Sequence, residues 1–151
     1  MRLVLDSSVL IAAVQPAEPD HQAALAFVNR LRSTRPADPA QLFAPPELWL
    51  EVHVVEQRLA LSRRAGPTPG GALRGLDVEL VAPEGVEEIT AFLELLTRRM
   101  RGRRPFANAT DLVYLWAAAR LDATVVTLDR GMLGYHGVVC DVTRPEHVRF
   151  G

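Results

Sequence analysis

Apolar positions along the chain follow two periods. Short runs rich in Val and Leu that end on an acid or a proline read as buried strands. Longer stretches with apolar residues three and four apart read as helices. On this basis residues 2–6 (RLVLD) form a strand. A loop with Pro16 and Pro19 follows, and then a helix from about Asp20 to Leu31 with Asp20 as its N-cap. RSTRPADPA is a polar, proline-containing loop and QLFAP a short extended piece. PPELWLEVHVVEQRLAL reads as a helix with Pro46 near its first turn, where proline is tolerated. RRAGPTPGG is a loop rich in helix breakers, and LDVELVAP a strand of period two. VEEITAFLELLTRRM is amphipathic, with Val86, Ile89, Phe92, Leu93 and Leu96 on one face. ATDLVYLWAAARL is apolar nearly all round and so is expected to be buried. ATVVTLD reads as a strand, and EHVRF as a last one.

Strands alternating with helices imply βαβ units and a mostly parallel sheet with right-handed crossovers. The chain has 151 residues, enough for one domain with a sizeable core, and carries no repeat or low-complexity tract. The expected organisation is therefore a single α/β domain over residues 1–151. In open parallel sheets, ligands bind outside the carboxyl ends of the strands. Two strands here end on a carboxylate: Asp6 closes RLVLD and Asp129 closes ATVVTLD. If those strands are neighbours, both acids enter one crevice.

Composition removes several alternatives. The chain has no lysine; every basic residue except four histidines is arginine. A P-loop and a Schiff-base enzyme both need a lysine. Haloacid-dehalogenase-type phosphatases and receiver domains also place Asp at strand ends, but they too rely on one. The single cysteine, Cys140, excludes an internal disulfide and a Cys-cluster zinc site, and in GVVCD it reads as a small core residue. No apolar run approaches a membrane span. The apolar N-terminus is interrupted by Asp6 and lacks a basic n-region with a cleavage site, so a cytoplasmic protein is expected. Net charge is −1, so no global basic field attracts nucleic acid; RRMRGRR, residues 98–104, is a local cluster.

Two further acids are candidates for the same place as Asp6 and Asp129. Glu51 lies one turn into a helix whose neighbouring positions are apolar (Trp49, Leu50, Val52, Val55), and Asp111 opens the buried helix. An acid on a mostly apolar element needs a partner, because burying an unpaired charge is costly. Carboxylates sharing one crevice would repel by roughly 4 kcal/mol per close pair at an effective dielectric of 20. A divalent cation resolves that repulsion, and all-oxygen ligation points to Mg²⁺ or Mn²⁺. Each acid also has a local explanation. Asp6 could N-cap an SSVLIAA helix. Asp111 could sit in the first turn of a helix capped by Asn108. Asp129 could open a turn, and Glu51 could pair with a distant Arg. None of these explains why all four fall at adjacent ends of the topology.

With these residues in view, the chain resembles PIN-domain ribonucleases, and among them the VapC toxins of toxin–antitoxin pairs. LVLDSSVLIAA resembles the opening strand, with the first acid at Asp6 and a hydroxyl residue at Ser8. APPELWLEVHVV resembles the second block, with the acid at Glu51. ANATDLVYLWAAARLDATVVTLDRGM resembles the third, with Asp111 and a T-x-D ending at Thr127 and Asp129. Many relatives carry another acid two positions after the fourth; here that place is Gly131.

The resemblance implies a PIN-like three-layer α/β/α sandwich and Mg²⁺- or Mn²⁺-dependent cleavage of RNA. Asp6, Asp111 and Asp129 would be the main metal ligands, with Glu51 holding metal-bound water or a second ion. Ser8 and Thr127 would orient carboxylates. A VapB-like antitoxin would inhibit the enzyme, and a homodimer or a higher toxin–antitoxin assembly is expected. The alternatives are a free-standing PIN nuclease in RNA processing and a non-catalytic PIN-like binding module. Arg101, Arg103 and Arg104 would contact RNA phosphates beside Asp111; otherwise the cluster is the solvated end of a helix, which favours cations. Glu47, one turn before Glu51, reads as a helix N-terminal anion. His21, His53, His136 and His147 lack ligand-like spacing, and Ser7 and Ser8 lack the glycines of a nucleophile elbow.

Overall fold

The computed structural model describes residues 1–33, 40–62, 66–100 and 108–150. Five strands form one sheet: β1 (Arg2–Leu5), β2 (Gln41–Ala44), β3 (Val78–Leu80), β4 (Thr124–Val126) and β5 (Asp141–Thr143). Their order is β3-β2-β1-β4-β5, and every neighbouring pair is parallel. Seven helices connect and flank them: α1 (Ser7–Val14), α2 (His21–Ser33), α3 (Glu47–Leu61), α4 (Pro69–Leu73), α5 (Val86–Met100), α6 (Ala109–Leu121) and α7 (Arg130–Leu133). A parallel sheet covered by helices buries its strands on both faces. Val4, Leu5, Val125 and Val126 accordingly have no exposed surface. Helix α6 packs on β1, β2 and β4, and the run from Tyr114 to Ala118 is buried there, as its all-round apolar pattern requires.

The chain steps outward from β1 through β2 to β3, then returns to the other side of β1 with β4 and β5. The reversal of direction lies between β1 and β4, which is where ligands bind in open α/β sheets. The register pairs Leu5 with Val126, so Asp6 and Thr127 leave the sheet side by side. Asp6 N–H still donates to Val126 C=O at 3.1 Å, and Thr127 N–H to Thr143 C=O at 3.0 Å.

Three elements differ from the sequence reading. EHVRF is not a strand: Pro145–His147 form a 3-10 turn, with Pro145 in its first positions, and the last strand is the preceding Asp141–Thr143. Within the stretch read as a breaker-rich loop, Thr68 caps the short helix α4 by accepting the Gly71 N–H, and Pro69 occupies the first turn, where its missing N–H costs nothing. Residues 7–14, between the first strand and the Pro16 loop, form helix α1. The neighbourhood of Glu51 also differs: Trp49 and Leu50, expected beside it as part of an apolar side, are 47% and 67% exposed. Cys140 is partly buried and packs against the core.

Candidate active site at the carboxyl ends of β1 and β4

Asp6 is the innermost of the four acids. It is 5% exposed and occupies the N-cap position of α1, yet its side chain makes no cap hydrogen bond. Instead Ser8 Oγ and Thr127 Oγ1 both donate to Asp6 Oδ2, each at 2.5 Å. The two hydroxyls are themselves fixed by the loop after β4. Leu128 N–H donates to Ser8 Oγ at 3.0 Å, and Asp129 N–H to Thr127 Oγ1 at 2.9 Å. Each hydroxyl thus takes an amide hydrogen and passes its own to the carboxylate. Burial pushes the Asp6 pKa up, the Ser8 and Thr127 hydroxyls pull it down, and the charge of Glu51 pushes it up again.

Asp111 lies in the first turn of α6, capped by Asn108, whose side chain accepts the Thr110 N–H at 3.2 Å. The local explanation for Asp111 is therefore real, but it is incomplete. The Asp111 carboxyl is pushed up to about 6, first by burial and then by the charges of Asp129, Asp6 and Glu51. The four acids sit close enough to act on one another. Asp129 lies at the exposed side of this group, and its Oδ1 accepts the Met132 N–H at 2.8 Å, capping α7. A Cβ on Gly131 would stand 2.9 Å from that same Oδ1. Glycine at this position leaves the Asp129 carboxylate its room.

Glu51 is partly buried on α3, and its Oε2 accepts the hydroxyl hydrogen of Tyr114 at 2.7 Å. Tyr114 belongs to α6, one turn after Asp111, and is 1% exposed. The sequence reading treated Tyr114 as core. A signal was available, since a buried tyrosine hydroxyl needs a partner and none is apolar. Burial, the charge of Asp6 and the bond to Glu51 push its pKa well above the ordinary tyrosine range, against a smaller opposing pull from the Ser7 hydroxyl, so the phenol stays a donor. Glu47, at the start of α3, has a buried Oε2 with no hydrogen-bond partner among the described residues. Among the described residues, no ion pair involves any of the four acids.

The donor set is hard oxygen throughout, which suits Mg²⁺ or Mn²⁺ and not a thiolate-seeking ion. Among the described residues, no three Asp, Glu, His or Cys side chains converge closely enough to hold one ion by themselves. Mg²⁺ is commonly held by one or two carboxylates and keeps several waters, so a spaced set of acids fits its requirements. Arg101, Arg103 and Arg104 lie outside the described residues; Arg98 and Arg99, from the same cluster, are exposed in the last turn of α5. The histidines have other surroundings: His21 Nδ1 is 2.8 Å from Ala12 O, His136 Nδ1 accepts the Val142 N–H, and His53 is exposed beside Glu56. A groove between α1, α2 and α4, lined by residues including Val14, Leu25, Val28 and Ala72, contains none of the four acids. Among the described residues, no helix is long and apolar enough to cross a membrane.

No protein-family model matches the sequence, and no curated protein matches it. The fold does have counterparts among solved structures. PAE2754 from Pyrobaculum aerophilum superimposes with a TM-score of 0.55 at 17% identity, covering 93% of this chain and 92% of that one. VapBC2 from Rickettsia felis, a crystal structure bound to a DNA fragment from its promoter, gives 0.57 at 12% identity, covering 95% and 98%. FitAcB from Neisseria gonorrhoeae gives 0.55 at 16% identity, covering 97% and 99%. Identities this low speak to architecture alone. With the parallel five-stranded sheet and its flanking helices, they establish that this chain has the PIN-like α/β/α fold.

Proposed function

We propose that the protein is a metal-dependent endoribonuclease of the VapC toxin type, hydrolysing RNA phosphodiester bonds and inhibited by a VapB-like antitoxin. The observation that carries this reading is the acidic site itself. Asp6, Glu51, Asp111 and Asp129 come from the end of β1, α3, α6 and the loop after β4; Asp111 feels the charge of the other three and Asp6 that of Glu51, and among the described residues no ion pair neutralises them. Likeness of fold to VapBC2 and FitAcB, which are toxin–antitoxin structures, supports the toxin class and the antitoxin partner.

Asp6, Asp111 and Asp129 would hold Mg²⁺ or Mn²⁺ together with its retained waters, one or two of them binding directly, and Glu51 would reach a coordinated water or a second ion. The bound cation would activate water and neutralise charge developing on the phosphate. Ser8 and Thr127 keep Asp6 as an oriented acceptor: both hydroxyl hydrogens fall on Oδ2 and oppose, without overcoming, the burial that raises its pKa. Asp129, anchored to the start of α7, is the exposed member of the set, the one a phosphate would meet first. With no general base among the described histidines at this site, the reaction would depend on the acids and their cation.

The test is cleavage of RNA by purified, antitoxin-free protein in Mg²⁺ or Mn²⁺ against EDTA, with Asp111→Asn alongside. Metal-dependent cutting that disappears in the variant supports the nuclease. A folded protein that neither cuts nor binds metal would refute it in favour of a non-catalytic binding module.

A further inference from the structure

The four acids are held in different ways. Asp6 has two hydroxyls and Asp129 has the Met132 amide. Glu51 has the longest side chain of the set and stands on a helix other than the one carrying Asp111. Its charge raises the Asp6 pKa, so the two acids repel. Its carboxylate is tied by the Tyr114 hydroxyl at 2.7 Å from Oε2, which among the described residues is the one side-chain hydrogen bond joining α3 to α6. We propose that Tyr114 is a positioning residue of this site, its phenol fixing the Glu51 carboxylate among the acids that would hold the divalent cation.

This inference rests on the metal-dependent reading above. The geometry suits the role. Asp111 and Tyr114 are three residues apart on α6 and so share a face, which places the phenol directly behind the acidic group. The ring is 1% exposed and cannot swing, so the hydroxyl is a fixed point. It donates and does not ionise, so it holds the Glu51 charge in place without cancelling it. Groups that orient a metal ligand in this way typically contribute 10–100-fold in affinity or activity.

The test measures Mn²⁺ binding by calorimetry, with MnCl₂ as the probe, on wild type, Tyr114→Phe, Glu51→Ala and the double variant. Circular dichroism verifies folding. Tyr114→Phe is expected to weaken Mn²⁺ binding about 10-fold or more. In the Glu51→Ala background the same change should alter affinity less than about twofold, because a residue acting through Glu51 has nothing left to act on. Tyr114→Phe binding Mn²⁺ as wild type does, or an equal loss in both backgrounds, overturns the proposal. Wild type that binds no Mn²⁺ overturns the metal reading itself, and this inference with it. Should Tyr114→Phe fold poorly, Glu51→Asp draws the carboxylate back from an intact phenol; it should show the same loss, and wild-type affinity there would refute the positioning role.

Discussion

Asp111 offers the sharpest quantitative test of the acidic site. Burial and three neighbouring charges move its carboxyl from an ordinary 3.8 to about 6. A raised carboxyl pKa means that the folded protein holds its proton more tightly than the unfolded chain. Between about pH 4 and pH 6 the folded state therefore binds more protons, and stability falls as pH rises. The penalty is complete above pH 6 and absent below about pH 4. A displacement of this size corresponds to about 3 kcal/mol against the charged form. Asp111 is partly exposed, and solvent screening brings the expected figure to about 1–2 kcal/mol. Asp111→Asn removes the charge and keeps the shape, so the metal-free variant should be more stable than wild type by that amount near pH 8. At this chain length the gain is about 2–8 °C in Tm. Near pH 4 the two proteins should melt together. Thermal unfolding in EDTA at both pH values measures this directly, and Mn²⁺ should then stabilise wild type more than the variant. Equal melting near pH 8, or the same gain at pH 4, would show that Asp111 does not sit in a field of like charges.

The other perturbations probe the ring around it. Asp6→Asn should lower RNA cleavage by more than the 10–100-fold typical of orienting residues, and should raise the metal-free Tm, because a buried charge facing Glu51 is removed; an active variant in a cleavage assay would dismiss this site. Thr127→Val keeps the volume of a fully buried side chain but strands the Asp129 N–H and removes a donor from Asp6. Urea unfolding should show a loss of about 1–3 kcal/mol, with activity reduced about 10–100-fold. Gly131→Ala brings a Cβ to 2.9 Å from Asp129 Oδ1, which must turn off the Met132 N–H. The lost cap, about 1 kcal/mol, is offset by a similar gain in helix propensity. Tm should barely move while cleavage falls, and a parallel fall of both would mean that the carboxylate stays put.

Much of this site can be read from strand ends. RLVLD and TVVTLD each place an acid within three residues of the strand's end, and a parallel sheet with β1 beside β4 brings them to one edge. Thr127 comes with the T-x-D ending of the family resemblance, and the register that aligns Leu5 with Val126 sets it beside Asp6. Tyr114 does not follow, because periodicity in a helix apolar all round cannot say which buried residue carries a polar obligation. The C-terminal error has a similar origin. EHVRF has strand-like residues, but Pro145 has no amide to give a ladder, and the true strand, Asp141–Thr143, is too short to show a period. In α3 the sequence offers apolar residues on several faces, and only packing decides that Val52 is buried while Leu50 is 67% exposed.

The arrangement of donors around the acids carries a final implication. Asp6, Glu51 and Asp129 each receive hydrogen bonds from neutral groups: two hydroxyls, a phenol and a backbone amide. Such donors fix where a carboxylate points but leave its charge intact. An arginine in the same place would have satisfied the acids and closed the site. The structural ion pairs show that the chain uses arginine in this way elsewhere, with Arg120 between Glu84 and Glu88 and Arg144 between Asp20 and Glu146. Among the described residues, then, the acids at the end of β1 and β4 are oriented without being neutralised. On the proposed reading that combination would lower the stability of the isolated protein and raise the affinity of the site for a cation, and both effects would trace to the same acidic side chains.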